Sequence, residues 1–113
     1  MKTKKVVFMG SKEIGLACLD HLIASQLKLD FEIAGVLTNN RSLGVQEGSV
    51  SETARKNGIP MLKDLDEFIK LPKVDIVISV QYHQILKRIH LQKASRLNVN
   101  LHMAPLPEYR GCN

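Results

Sequence analysis

The chain has no tryptophan, and its 113 residues include only 2 tyrosines and 3 phenylalanines. That leaves no aromatic platform on which single-stranded nucleic acid could stack. Its 2 cysteines, Cys18 and Cys112, form neither a disulfide framework nor a zinc-binding spacing, and no metal site is expected. No apolar run approaches the roughly 20 residues that span a bilayer, so no membrane partner is expected. Met1-Lys-Thr-Lys-Lys5 is basic like the opening of a secretory signal. The apolar stretch behind it is too short and meets Gly10, so it reads as a first strand and the chain as cytoplasmic. Acidic residues are scarce at the far end. After Asp75 there is only Glu108, against Lys87, Arg88, Lys93, Arg96 and Arg110. The net charge of +5 is therefore concentrated in the last third, which suits an anionic partner or a solvated basic helix.

What is present is the composition of one ordinary globular domain covering 1–113, with 44% hydrophobic and 24% charged residues. Strand and helix patterns alternate. Val6-Val-Phe-Met9 is an uninterrupted apolar run, as in a central parallel strand buried on both faces. Residues 12 to about 25 carry apolar side chains at helical spacing, with Ser11 placed to cap them. Residues 31–38 read as a second strand. Ser49-Val-Ser-Glu52 is a capping-box pattern opening a helix to about Asn57, with Gly58 as its left-handed stop. Pro60-Met-Leu62 fits a short edge strand, and Asp64 starts a helix that stops before Pro72. Residues 74–80 form a strong buried strand, 81–84 a loop, 85–95 mostly helix, and 97–103 a last strand. The pattern predicts an α/β fold, a doubly wound, mainly parallel, Rossmann-like sheet of five or six strands.

Two segments could carry chemistry. Gly10-Ser-Lys-Glu-Ile-Gly15 lies where a phosphate loop would lie, but it matches neither nucleotide-binding glycine pattern and reads as well as turn chemistry. The second is more specific. Asn98-Val-Asn-Leu-His102 alternates polar and apolar residues, so Asn100 and His102 share one strand face with Cα atoms about 6.5 Å apart. A stiff Pro-containing turn follows, ending in Tyr109 and Arg110. In parallel sheets, functional sites collect at the C-terminal ends of strands.

The string Asn100-x-His102-x-Ala104-x-Leu106-Pro107-x-Tyr109-Arg110-Gly111 resembles the signature of the 10-formyltetrahydrofolate-dependent formyltransferases. That family formylates methionyl-tRNA, glycinamide ribonucleotide and amino-sugar nucleotides. The resemblance covers essentially the whole chain. Lys5-Val-Val-Phe-Met-Gly-Ser11 is similar to the family's first strand and turn, and Ser79-Val-Gln-Tyr-His-Gln-Ile-Leu86 to the segment that holds the folate pterin. The resemblance implies acyl transfer with 10-formyltetrahydrofolate as cosubstrate. Asn100 would donate to the developing oxyanion and His102 would donate as imidazolium and manage protons. Such a preorganised donor is worth about 3–4 kcal/mol. It also implies that Tyr82, Ile85, Leu86 and Met103 line the folate pocket, and it suggests a cis bond at Leu106–Pro107.

The acceptor is read from the segment after the second strand. Enzymes acting on tRNA carry a longer Gly- and Lys-rich loop there, and Thr38 to Gly48 is short. That favours a phosphorylated small-molecule amine, an amino-sugar nucleotide, whose anionic part would approach Ser11, Lys12, Tyr109 or Arg110. Methionyl-tRNA is the alternative acceptor, supported by the basic last third, and a non-catalytic ligand- or partner-binding fragment is a further one. The family's third catalytic group, an aspartate, lies some tens of residues beyond the motif. The expectation is therefore the N-terminal portion of a formyltransferase of roughly 200 residues or more, inactive alone. Its open sheet edge would allow a homodimer.

Overall fold

β-Branched and apolar residues in short unbroken runs set up the sheet, because they suit a pleated surface buried on both faces. A computed structural model of the chain describes residues 3–38, 49–82 and 84–101. Among these, the elements follow as β1 (Lys4–Gly10), α1 (Lys12–Leu29), β2 (Phe31–Leu37), α2 (Val50–Lys56), α3 (Leu65–Ile69), β3 (Ile76–Val80), α4 (Arg88–Leu91) and β4 (Leu97–Leu101). The four strands form one all-parallel sheet in the order β2-β1-β3-β4. The chain thus winds outward from β1 in both directions, which is the doubly wound, Rossmann-like arrangement predicted. Among the described residues no helix is long and apolar enough to cross a membrane.

Period-two alternation splits the core. Phe8, Ile33, Val36 and Val80 pack with Leu19 of α1 and Val50 and Ala54 of α2 on one face. Val7, Met9, Leu37 and Val77 pack with Phe68 of α3 on the other, joined by Tyr82, Leu86 and Ala94. At the N-terminal ends of the strands, Asp75 is 3% exposed and fastens three segments. Its carboxylate accepts from the Lys5 N–H at 2.7 Å and from the Ser95 hydroxyl at 3.2 Å. Its backbone carbonyl accepts from Arg96 N–H at 2.8 Å.

Several expectations change. Fewer strands are seen among the described residues than the five or six expected, because Met61 makes only a single parallel bridge to Val36. Pro60 offers no N–H to extend that ladder; its carbonyl accepts from Val36 and the Leu62 N–H donates back to Val36. Helix α1 runs past residue 25 to Leu29, and stops at Asp30 in the left-handed conformation (φ 56°), whose N–H donates to Gln26 O. The segment 85–95 is mostly not helix. Only Arg88–Leu91 is helical, since Leu86 is drawn into the core and Ser95 is already bonded to Val74 O at 2.9 Å.

The caps divide in an instructive way. Ser49 accepts from Glu52 N–H at 3.1 Å and Asp64 from Glu67 N–H at 2.9 Å, both as the sequence suggests. Ser11 occupies the N-cap position of α1 but its side chain makes no cap bond. Lys12 beside it is left-handed (φ 65°), and the first turn is closed instead by Gly15 N–H donating to Ser11 O at 3.1 Å. Gly15 is also not a turn residue: a Cβ there would lie 3.2 Å from the Gly10 carbonyl carbon, so its role is close approach of α1 to β1.

Candidate functional site

The register of β3 against β4 builds the site. Val77 pairs with Asn98 and Ser79 with Asn100, so these four residues share the sheet face that also carries α3. β3 ends at Val80, and the next residue, Gln81, takes a left-handed conformation (φ 47°) and donates its N–H to Leu101 O at 2.9 Å. That sharp exit sends the following loop back over the same face. A cavity of about 390 Å³ opens between loop, strands and α4, lined by Ser79, Tyr82, Ile85, Leu86 and Asn100 among others. Its size is that of a small-molecule pocket.

The lining has two characters. Leu86 and Tyr82 are anchored in the core cluster and give an apolar wall, and Leu91 closes the α4 side. Burial raises the Tyr82 phenol above its usual pKa, and the Asp64 charge adds to the rise. Tyr82 therefore stays protonated at neutral pH, its Oη donating to Gln84 Oε1 at 3.2 Å. The polar rim consists of carboxamides: Gln81, Gln84, Asn98 and Asn100. The Asn100 Oδ1 accepts from the buried Ser79 hydroxyl at 3.1 Å, and Asn98 Nδ2 donates to Leu91 O at 2.8 Å. A rim of neutral donors and acceptors over an apolar wall suits a flat, uncharged, hydrogen-bonding heterocycle. The chemistry of the donor set therefore fits the folate pterin.

The structure brings together Asn100, Tyr82, Ile85 and Leu86, all of which line this cavity. Ile85 is 90% exposed, at the mouth. Ser11 and Lys12 do not line it; Ser11 follows β1 and Lys12 opens α1, the helix that packs on the opposite sheet face. His102, Met103, Tyr109, Arg110 and the Leu106–Pro107 bond lie outside the described residues. Sequence reading had the segment from Ser79 to Leu86 at the site but gave no role to Ser79, Gln81 or Gln84, and it missed Leu91 and Asn98. One signal for Ser79 was available: it is the single polar residue in the aliphatic run Ile76–Val80.

No family model matches the chain. Among curated proteins, it is 31% identical over 121 residues to methionyl-tRNA formyltransferase of Clostridioides difficile (strain 630), covering 95% of this chain and 37% of that protein. It is 32% identical over 118 residues to the methionyl-tRNA formyltransferase of Lactobacillus johnsonii (strain CNCM I-12250 / La1 / NCC 533), covering 94% and 36%. With that of Legionella pneumophila (strain Corby) the figures are 32% over 121 residues, 96% and 37%. The chain thus spans little more than a third of the length of these relatives. Among solved structures, S. aureus homoserine dehydrogenase at pH 6.5 superposes with a TM-score of 0.66 at 14% identity, over 99% of this chain and 29% of that one. At so low an identity the likeness is one of fold alone.

Proposed function

We infer the function from the family: this chain belongs to the formyltransferases, as a counterpart of their N-terminal part. The reading is transfer of a formyl group from 10-formyltetrahydrofolate to a primary amine, with the methionyl group of charged tRNA as acceptor. The observation that carries it is the convergence of the Asn100 carboxamide and the Tyr82–Leu86 loop wall on one cavity. The tRNA acceptor is supported by the curated relatives and by the basic residues Lys87, Arg88, Lys93 and Arg96. The amino-sugar nucleotide favoured from sequence rested on the shortness of segment 38–48, of which only Thr38 is described. It becomes the competing arm of the test.

Bound 10-formyltetrahydrofolate supplies an electrophilic formyl carbon. Tyr82, Ile85 and Leu86 would hold its pterin against the apolar wall and keep water from the polar rim. As the amine attacks, negative charge grows on the formyl oxygen, and an Asn100 Nδ2–H aimed at that oxygen stabilises it. A preorganised donor in such a site is worth about 3–4 kcal/mol. The bond from the formyl carbon to N10 then breaks and tetrahydrofolate would leave, with donation to that nitrogen and uptake of the amine's proton assigned, by resemblance, to His102.

The test supplies 10-formyltetrahydrofolate and either methionyl-tRNA or an amino-sugar nucleotide to residues 1–113, alone and joined to the downstream part of a methionyl-tRNA formyltransferase, and follows formylated product. Binding of 5-formyltetrahydrofolate is measured by calorimetry alongside. Formylation of methionyl-tRNA by the longer protein, lost in Asn100→Ala, is expected, with folate binding but no turnover by residues 1–113 alone. Formylation of the sugar nucleotide alone would overturn the acceptor. Absence of both folate binding and transfer would overturn the whole reading.

A further inference from the structure

We propose that Ser79 is a positioning residue that decides which end of the Asn100 carboxamide faces the cavity. A carboxamide has a donor end and an acceptor end of nearly equal shape, and only the donor end can serve a developing oxyanion. Asn100 lies exposed on edge strand β4, where nothing steric distinguishes the two orientations. Its direct cross-strand partner is Ser79, which is only 3% exposed. The Ser79 hydroxyl has one proton, and the nearer of its two acceptors is Asn100 Oδ1 at 3.1 Å, against 3.5 Å to Val99 O. A flipped carboxamide would donate to Ser79 Oγ and leave the hydroxyl proton only Val99 O, at 3.5 Å the outer limit of a hydrogen bond, so the better-bonded orientation holds Oδ1 from below and leaves the Nδ2 hydrogens for the cavity.

Asn98 supplies the contrast. It lies two residues earlier on the same strand face, and its Nδ2 donates to Leu91 O at 2.8 Å, so its Oδ1 is the free end. Two neighbouring asparagines thus present opposite chemistry to one cavity, donor from Asn100 and acceptor from Asn98, each fixed by a partner outside the rim. A polar residue in an otherwise aliphatic buried strand costs stability unless its hydroxyl is bonded, so Ser79 is a poor choice for packing alone.

The catalytic half of this proposal rests on the formyl-transfer reading; the orientation half does not. Ser79→Ala and Ser79→Thr test the orientation, and these two with Asn100→Ala and the double variant test the coupling. Accepting a hydrogen bond moves a carboxamide carbon downfield, so in Ser79→Ala the Asn100 Cγ resonance should move upfield. Ser79→Thr should restore it, and Asn98 Cγ should stay in place throughout. In formyl transfer to methionyl-tRNA by the longer protein that carries residues 1–113 and the downstream part, Ser79→Ala should lower kcat about tenfold with KM little changed, as for a misdirected group. Ser79→Thr should recover most of that rate, and Ser79→Ala added to Asn100→Ala should cost nothing further. An unmoved Asn100 Cγ in folded Ser79→Ala overturns the orientation. An equal rate loss with and without Asn100 overturns the coupling. Turnover untouched by Asn100→Ala overturns the donor role and the formyl-transfer reading behind it, while the Cγ shift still decides the grip of Ser79.

Discussion

Replacing Asp75 by alanine removes the fastener at the N-terminal ends of β1, β3 and the segment entering β4. The carboxylate is 3% exposed and accepts two hydrogen bonds, from Lys5 N–H at 2.7 Å and Ser95 Oγ at 3.2 Å. Lys73 Nζ and Arg96 Nε each stand 3.8 Å away, but both cations are more than half exposed, so water screens most of their attraction. The hydrogen bonds therefore dominate. Stranding the Lys5 N–H and the Ser95 hydroxyl costs about 1–3 kcal/mol each at full burial, and partial solvent access lowers the sum to about 3 kcal/mol. With a urea slope of about 2 kcal/mol per molar, the midpoint should fall by about 1.5 M. The pH dependence isolates the charge. The Lys5 N–H bond, foremost, holds the Asp75 pKa below its usual 3.8, against the opposing effect of burial, with Lys73, Ser95 and Arg96 lowering it further. A depressed folded-state pKa contributes stability above the unfolded value and loses it as pH falls through the folded value. The gap between wild type and Asp75→Asn, which keeps the shape without the charge, should thus be full at pH 7 and shrink below about pH 4. Urea melts followed by circular dichroism at both pH values measure this. A midpoint unchanged in Asp75→Ala, or a gap to Asp75→Asn that does not narrow in acid, would refute the reasoning.

Four further outcomes are expected. Ser49→Ala should cost about 1 kcal/mol, since it removes a bonded N-cap, whereas Ser11→Ala at an unbonded cap should change the denaturation midpoint little. Gly15→Ala should destabilise by about 1–3 kcal/mol despite the better helix propensity of alanine, because its Cβ would meet the Gly10 backbone at 3.2 Å; a stabilised variant would show that α1 can shift. Phe68→Ala, at a side chain with 0% exposure under α3, should lose about 3–5 kcal/mol in the same assay. If tRNA is the acceptor, neutralising Lys87 and Arg88 together should weaken its binding and flatten the salt dependence by about 2 in log–log slope, one for each phosphate left without its cation; an unchanged slope would place those charges off the tRNA path.

Whatever depends on neighbours a few residues apart was legible in the chain alone. The strands at Val6, Ile33 and Val77 follow from short apolar runs, that at Val99 from polar–apolar alternation, and the caps at Ser49 and Asp64 from a side chain reaching an N–H three residues on. The motif around Asn100 was legible for the same reason, since residue types at fixed offsets are all it requires. The remainder needed the assembled fold. Ser11 failed as a bonded cap because Lys12 beside it is left-handed, and 85–95 stayed largely unwound because Leu86 is pulled into a core built by α3 and β1. Ser79 meets Asn100 across 21 positions of chain and Asp75 meets Lys5 across 70, and neither meeting exists until the parallel strands have taken their register. A shift of one residue would turn Asn98 and Asn100 together away from the face of Ser79 and dissolve the cavity they line.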